Sequence, residues 1–279
     1  MIRIFKLDEY GPQIVKAINE LFKNCQNRMI HFGELLVCQQ NGFIFAGEPA
    51  VGLGEEGSEY FPRLNTITYN GIGEMTSDYD YIKTNANKFF DGTSEFELSI
   101  VQELKKYQDI WENGYFIRIL IQLIHISNGE HYDWQLSIKN NKKKKSALIE
   151  QYIIEKSKHM PLFHDLICQA YNRNLRNAIA HSQYQLIQGG ILLNNVPPKD
   201  GKYTAFSFEQ WERMYIQSYL LVVYIMEGLK QNSLNYFELS KNNHEGGIPI
   251  IVPYKDKIWR ETLLYPDKEG RVWRLVKTC

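Results

Sequence analysis

The sequence predicts a mainly α-helical protein: an antiparallel bundle of amphipathic helices, a small β-hairpin, and irregular or β-containing extensions at both ends. Apolar residues recur at helical spacing through much of residues 90–240. Strands that alternate regularly with helices, as a doubly wound sheet requires, are not found in the pattern. Hydrophobic residues make up 44% of the chain and aromatic residues 13%, which is enough to build a buried core.

The N-terminal region, residues 1–89, is the hardest part of the chain to assign to a fold class. Apolar positions recur at helical spacing in Pro12–Phe22, so we expect an amphipathic helix there. A glycine-rich stretch follows at Gly42–Gly57, and its short apolar run Phe43–Ala46 is compatible with a strand. We treat this region as an extension outside the helical domain.

A long helical pattern opens the central domain. It runs from about Ser94 to Ile126, with a kink expected at Asn113–Gly114 and a stop signal at Asn128–Gly129. A second helix is predicted at Ala147–Ile154. Because these helices are amphipathic, we expect them to pack side by side in a bundle.

The next stretch, residues 161–181, is predicted to form one helix with two distinct faces, and Pro161 suits its first turn. The apolar face carries Phe163, Ile167, Tyr171, Leu175, Ala178 and Ile179. The polar face carries Asp165, Gln169, Asn172, Arg173, Arg176 and Asn177. Because the polar face gathers two arginines and an asparagine before His181, this end of the helix is the candidate functional site.

A hairpin and a further helix complete the central domain. Tyr184–Ile187 and Ile191–Leu193, joined across two glycines, predict a small β-hairpin. Ser207, with Gln210 three residues later, forms a capping-box pattern that predicts the start of a helix continuing through Leu229.

The C-terminal residues, 241–279, carry turn signals and short strand-like runs at Ile248–Val252 and Arg271–Val276. We therefore divide the chain into an N-terminal extension (1–89), a helical domain (90–240) and a β-rich tail (241–279).

Charge and cysteine content restrict the partners and the compartment. Thirty-two basic residues balance thirty-two acidic ones, so a polyanionic partner would need a local basic patch. The four cysteines form no Cys-x-x-Cys pair, which argues against a structural zinc site and favours a reducing compartment. Met1–Lys6 lacks the apolar run of a signal peptide, and Tyr115–Ile126 and Tyr215–Leu229 are too short to span a bilayer. We expect a cytoplasmic protein that does not associate with membranes.

The candidate site combines groups suited to phosphate chemistry. The planar guanidinium of Arg176 offers donors to phosphate oxygens, and the imidazole of His181 exchanges protons near neutral pH. Together they fit metal-independent RNA cleavage, in which the ribose 2′-hydroxyl attacks the neighbouring phosphate. On an ideal helix the two residues lie roughly 140° apart. Either Arg176 curls around the polar face, or His181 lies past the last regular turn.

The segment Arg176-Asn177-Ala178-Ile179-Ala180-His181 resembles the motif of the HEPN superfamily, helical domains found in many bacterial RNase toxins and antiviral effectors. The mark of that superfamily is an arginine, four to six residues and a histidine, often with an asparagine directly after the arginine. The resemblance covers about residues 90–240. It implies a HEPN-like helical bundle with an RNA-cleaving site at a dimer interface. It also implies that Arg176 and His181 are catalytic and that Asn177 supports them.

A second Arg–His match lies at Arg118 and His125, with six residues between them. These two residues share one face of a largely apolar helix, so we expect a buried structural pair there. An alternative is a metal site built from His125, Glu130, His131 and Asp133, although their spacing fits no firm template. We therefore expect neither a metal nor another cofactor.

RNA binding is assigned to basic residues around the motif: Arg173, Lys142, Lys143, Lys144 and Lys145. Each assignment has a structural alternative. A lysine run is more often a solvated loop than a binding patch, and Arg173 with Arg176 could form a solvated helix face. His181 is also suited to a helix C-cap, where a cationic imidazole meets the negative end of the helix dipole.

The sequence thus predicts a metal-independent endoribonuclease that leaves a 2′,3′-cyclic phosphate and acts as a toxin or in antiviral defence. Each motif supplies one histidine, so we expect a homodimer, with an antitoxin or another regulatory protein as a further candidate partner. Because Arg176 and His181 lie on the polar face, replacing either is expected to leave stability nearly unchanged.

Two alternatives stay open. One is a catalytically inactive HEPN-like module that binds RNA or a nucleotide. The other is a scaffold subunit of a larger complex, with the aromatic-rich extensions as its partner surface: Trp259, Tyr265 and Trp273.

Overall fold

The computed structural model describes most of the chain outside residues 50–92. The described residues are 4–27, 33–38, 43–45, 48–49, 93–133, 136, 138, 144–243, 245–253, 259–266 and 273–275. Helices dominate these residues and enclose one hydrophobic core, which confirms the mainly α fold class. Lys142, Lys143 and much of Gly42–Gly57 lie outside the described residues.

The helices are named in chain order. They are α1 (Ile4–Asn27), α2 (Thr93–Glu112), α3 (Gly114–Ser127), α4 (Lys145–Leu148), α5 (Pro161–Ala170), α6 (Arg173–Ala180) and α7 (Phe208–Lys241). A 3-10 helix, Gly33–Cys38, follows α1. The predicted helix after the lysine run is irregular, because α4 continues as a π-helix (Ile149–Ile154) and a 3-10 turn (Glu155–Ser157).

Helix α1 belongs to the helical body and not to a separate extension. It packs against α3, α5 and α7, and Ile14 and Leu21 are buried in the same core as those helices. A domain boundary at residue 89, as the sequence predicts, would therefore divide α1 from the helices against which it packs. The sequence pattern located this helix but underestimated its length.

The break between α2 and α3 falls where the sequence predicts a kink. Asn113 has an extended backbone and its side chain accepts a hydrogen bond from the N–H of Phe116 at 2.9 Å, which caps α3. Asn128 ends α3, and Gly129 follows with a φ of 76°, so the predicted stop signal is confirmed. Every residue of α3 is buried, including Arg118, Gln122 and His125.

Eight short strands form three small antiparallel sheets in the described residues. The first pairs β1 (Phe43–Phe45) with β2 (Glu48–Pro49), the second joins β3 (Tyr184–Ile187), β4 (Gly190–Leu193) and β5 (Ala205–Ser207), and the third joins β6 (Ile248–Pro253), β7 (Trp259–Pro266) and β8 (Trp273–Leu275).

The hairpin after α6 is confirmed and gains a third strand, β5, which the sequence did not predict. Gly190 begins β4 opposite Ser207, and a Cβ at Gly190 would lie 2.3 Å from the carbonyl oxygen of Phe206. Only glycine permits this close approach of the two strands. The hairpin is thereby held directly beside the start of α7.

Helix α7 begins as the sequence predicts and ends later. Ser207 and Gln210 form the complete capping box. The helix runs for 34 residues, past the predicted end at Leu229. Its last buried positions are Ser233, Tyr236 and Ser240, and the two serines weaken the apolar pattern by which the sequence predicts a helix.

The C-terminal tail is tied to α7. Trp273 of β8 is fully buried, and its indole N–H donates to Ser233 Oγ at 2.7 Å. A partner surface built on the aromatic residues of this tail would therefore lack Trp273, contrary to the sequence-based scaffold hypothesis. In the described residues, no helix is both long enough and apolar enough to cross a membrane.

Candidate functional site

The segment predicted as one helix, residues 161–181, consists of two helices, so that prediction is wrong. Tyr171 and Asn172 are extended and separate α5 from α6. The side-chain oxygen of Asn172 accepts a hydrogen bond from the backbone N–H of Leu175 at 2.9 Å. The backbone N–H of Asn172 donates to Tyr107 Oη at 2.9 Å. The Asn172 side chain therefore caps α6, and a tertiary contact satisfies the backbone at the break.

Arg176 is buried and engaged within the chain. Its side chain is 10% exposed, its Nη1 lies 3.0 Å from Glu112 Oε1, and Nη1 also donates to Asn177 Oδ1 at 2.8 Å. The interpretation of Arg176 as part of a solvated face is therefore wrong. Asn177 Oδ1 accepts a hydrogen bond from the guanidinium directly, and its supporting role in catalysis stays a prediction.

Glu112, the last residue of α2, is shared between two cations. Lys145 Nζ donates to the Glu112 carbonyl oxygen at 2.6 Å and lies 3.5 Å from Glu112 Oε2. Of the two described members of the lysine run, Lys145 thus joins the Arg176 site, whereas Lys144 is exposed at the start of α4. Nothing in the local sequence around Glu112 indicates that it would meet Arg176.

A second ion pair lies beside the first. Arg173 Nη1 is 3.2 Å from Glu150 Oε2, with the Arg173 side chain half exposed. Glu150 belongs to the π-helix, a type of irregularity that often occurs at functional sites. We call the five residues Glu112, Lys145, Glu150, Arg173 and Arg176 the charged cluster; it holds three cations and two carboxylates.

The hydroxyl of Tyr171 lies near the charged cluster. Its ring packs against Trp111, with ring centroids 4.9 Å apart, and its hydroxyl is buried without a hydrogen-bond partner. Burial raises the pKa of Tyr171 to about 12, while the charge of Arg176 acts in the opposite direction. The phenol is therefore a neutral O–H donor at physiological pH. The sequence assigned Tyr171 to the apolar face, because a helical pattern cannot distinguish its ring from its hydroxyl.

His181 lies past the last turn of α6, the second of the two arrangements that the sequence left open. It is the C-cap, its backbone N–H donates to the Asn177 carbonyl at 3.1 Å, and the residue is exposed. Within the described part of the chain, its imidazole makes no hydrogen bond or ion pair. A rise of about 1.5 Å per residue puts His181 about 7.5 Å along the axis from Arg176.

Arg176 lies in the middle of α6 and contacts Glu112 at the end of α2, whereas His181 follows the C-terminal end of the helix. Arg176 also contacts the Asn177 side chain directly. Among the described residues, no hydrogen bond or ion pair joins the His181 imidazole to either of them.

The other Arg–His pair lies in the core. Arg118 and His125 are 0% and 7% exposed, so their predicted burial is confirmed. His125 Nδ1 lies 3.7 Å from Glu130 Oε2, and burial lowers the pKa of His125. Among the residues that the structure describes, no three His, Cys, Asp or Glu side chains are grouped so as to hold a metal ion.

Comparison with known proteins assigns no family to this chain. No family model matches it, and no curated protein or solved structure does so either. The function is therefore argued from the geometry of α6 and its surroundings and from the resemblance of its motif.

Proposed function

We propose that this protein is a metal-independent endoribonuclease of the HEPN type, acting as a homodimer with an active site shared between two chains. The observation that supports this most is the state of His181. Its imidazole is exposed and unbonded within the described residues, directly after the helix on which Asn177 holds Arg176. An exposed imidazole at a helix end is free to exchange protons with a bound substrate.

A two-fold dimer supplies what one chain lacks. If two α6 helices associate in antiparallel fashion about a point midway between Arg176 and His181, then His181 of each chain comes near Arg176 of the other. Two histidines then provide one proton acceptor and one proton donor. Glu112 and Glu150 partly neutralise the arginines, which reduces the repulsion between the two chains in the absence of RNA.

The cleavage step follows from these groups. One His181 removes the proton of a ribose 2′-hydroxyl, and that oxygen attacks the adjacent phosphorus. The bond to the 5′-oxygen breaks, and the other His181 protonates this leaving oxygen. Arg176 stabilises the negative charge that develops on the non-bridging phosphate oxygens. The products are a 2′,3′-cyclic phosphate and a 5′-hydroxyl end.

The test is incubation of the purified protein with RNA in excess EDTA, followed by analysis of the new ends. We expect cleavage that leaves 2′,3′-cyclic phosphate. Activity that disappears on chelation and returns with magnesium or manganese would contradict the mechanism. His159→Ala is the control, because His159 is also exposed but lies in the turn before α5, where its Nδ1 is 3.1 Å from the Lys156 carbonyl oxygen, and this variant should remain active.

A toxin or antiviral role would follow from such an activity. Expression of the wild-type chain in a bacterial host should then slow growth, and expression of His181→Ala should not. Equal growth of the two cultures at equal protein levels would argue against this role.

A second candidate function is favoured by the ion pair between Arg176 and Glu112. A nine-tenths buried guanidinium that is already neutralised also suits a HEPN-like module that binds RNA without cleaving it. Such a module would retard RNA in a binding assay and leave it intact after prolonged incubation. The scaffold alternative is weaker, because Trp273 is buried against Ser233 and Tyr265 is only partly exposed.

A further inference from the structure

Two polar groups next to the Arg176–Asn177 pair are buried without any hydrogen-bond partner: Arg176 Nε and Tyr171 Oη. Arg176 is 9% exposed and Tyr171 6% exposed, so neither atom is satisfied by bulk water. Buried donors in folded proteins are nearly always paired, and the exceptions often belong to binding sites or ordered water. These two donors therefore require an explanation.

Both unpaired groups lie near the C-terminal end of α2. The Tyr171 ring packs on Trp111, and the next residue, Glu112, binds the guanidinium of Arg176. The hydroxyl of Tyr171 also experiences the charges of Arg176, Glu150, Arg173 and Glu112. The two donors thus share one electrostatic environment.

That environment favours an anion over a water molecule. The charged cluster holds three cations against two carboxylates, so a positive charge is left uncompensated within it. Arg176 Nε–H and the Tyr171 hydroxyl are both donors, and guanidinium groups bind phosphate oxygens in particular. A ligand that offers negatively charged oxygens therefore suits both donors.

Glu112 already provides such an oxygen at the other edge of the guanidinium. Its carboxylate is 30% exposed and lies 3.0 Å from Arg176 Nη1. A phosphate that binds Arg176 therefore meets a guanidinium whose Nη1 is already held by this carboxylate. Glu112 therefore competes with the ligand for the same cation.

We propose that Tyr171 and Arg176 form an oxyanion subsite, in which Tyr171 Oη and Arg176 Nε donate to a non-bridging oxygen of an RNA phosphodiester that displaces Glu112. This inference deepens the proposed function and rests on it for the identity of the ligand. Tyr171 is then a further substrate-binding residue of the active site, supplied by the same chain as Arg176.

The experiment measures binding of a fluorescent 2′-O-methyl RNA oligonucleotide, which cannot undergo 2′-hydroxyl attack, by anisotropy in EDTA. Tyr171→Phe keeps the ring on Trp111 and removes only the hydroxyl, so we expect binding about tenfold weaker, as for loss of a hydrogen bond to a charged group. Glu112→Gln should bind several-fold more tightly. Tyr203→Phe is the matched control, because Tyr203 is 62% exposed, and its affinity should equal that of the wild type.

Unchanged affinity in Tyr171→Phe overturns the subsite, and so does a wild-type protein that fails to bind the oligonucleotide. If Tyr171→Phe does not fold, the affinity of Glu112→Gln decides, and a value equal to or weaker than wild type contradicts the proposal. Cleavage of unmodified RNA by the wild type is measured separately. If binding depends on Tyr171 but the wild type does not cleave RNA, the subsite stands and the nuclease proposal is wrong. If the wild type cleaves RNA but Tyr171→Phe binds as tightly as the wild type, the nuclease proposal stands and the subsite is wrong.

Discussion

The two Arg–His pairs of this chain have similar spacing and opposite environments. Arg118 and His125 lie within α3, a helix that is buried on every side. At the other pair the arginine is buried, but His181 is exposed beyond the end of α6. Spacing alone therefore does not identify a catalytic pair. The useful distinction is whether the histidine, the residue that must exchange protons, reaches solvent.

The local sequences explain this difference. In α3 the pair is surrounded by isoleucine, leucine and aromatic residues, so the whole helix enters the core. In α6 polar residues alternate with small and apolar ones, and the helix is only eight residues long. A short amphipathic helix buries one face and leaves its end, where His181 lies, at the surface.

Replacing His181 should have the largest effect on function. His181→Ala should lower the rate of RNA cleavage about 100- to 10,000-fold, the usual contribution of a proton-transfer group. Its thermal unfolding should match the wild type, because the imidazole makes no bond within the described residues. A fully active and stable His181→Ala protein would remove His181 from the site.

Replacing Arg176 should affect both activity and stability. Arg176→Ala leaves Glu112 without its main cation in a partly buried position, so we expect a loss of about 1–3 kcal/mol in the free energy of unfolding. This differs from the sequence-based expectation of nearly unchanged stability. Urea titration measures the effect, and an unfolding midpoint equal to that of the wild type would show that the ion pair contributes nothing.

Replacing a residue of the core pair Arg118–His125 should lower stability and leave cleavage unchanged, the opposite of the result expected for His181→Ala. His125→Ala opens a small cavity and removes one of the two partners of Glu130, which keeps Lys156, so stability should fall by about 1–3 kcal/mol. Cleavage per folded molecule should be preserved. If His125→Ala abolished cleavage while remaining folded, the assignment of the two pairs would have to be exchanged.

The pH dependence of stability sharpens this prediction. Burial lowers the pKa of His125 below its ordinary value of 6.5, so the unfolded chain binds this proton more readily than the folded one. The contribution of neutral His125 to the free energy of unfolding is complete above pH 6.5. It decreases as the pH falls from 6.5 through the lower pKa that His125 has in the folded protein. Over this window the unfolding free energy of His125→Gln should decline less steeply than that of the wild type.

The smallest effect is expected at Arg173. Its ion pair with Glu150 is half exposed, and such pairs contribute about 0–1 kcal/mol, so Arg173→Ala should be nearly as stable as the wild type. RNA affinity should fall modestly, with a salt dependence reduced by about one phosphate contact. An unchanged salt dependence would assign Arg173 to the solvated face that the sequence left open.

Local chemistry explains the parts of the fold that the sequence predicted. The caps at Asn113, Asn128 and Ser207 are each satisfied by residues a few positions away, so their patterns are visible in the sequence. The break between α5 and α6 is different, because Asn172 donates to Tyr107, 65 residues earlier. The apolar periodicity continues across this break and therefore conceals it.

The candidate site was predictable to the same extent. Arg176, Asn177 and His181 lie within one short segment, so the motif is visible in the sequence, and the position of His181 past the last turn is one of the two arrangements that the sequence leaves open. Tyr171 belongs to the same segment, but its contact with Trp111 depends on tertiary packing. Glu112 and Glu150 join the site only through tertiary packing, because they lie on α2 and the π-helix, far from Arg176 in the sequence.

Whether two chains share the site is the central claim, and a mixture of wild-type and His181→Ala proteins tests it most directly. The two proteins are combined in equal amounts, unfolded together, refolded and assayed for RNA cleavage. In a shared site that needs both histidines, a mixed dimer lacks one of its two proton-transfer groups and is inactive. Random pairing should then leave about one quarter of the activity of the same total amount of wild-type protein, since about one quarter of the dimers are wild type in both chains.

The same mixture gives a clear opposite result if each chain carries its own complete site. Every wild-type chain then remains active whatever its partner, and the mixture should retain about one half of the activity. Light scattering on the refolded mixture verifies that dimers have formed. Activity near about one quarter supports the shared site, and a dimeric mixture that retains about one half contradicts it.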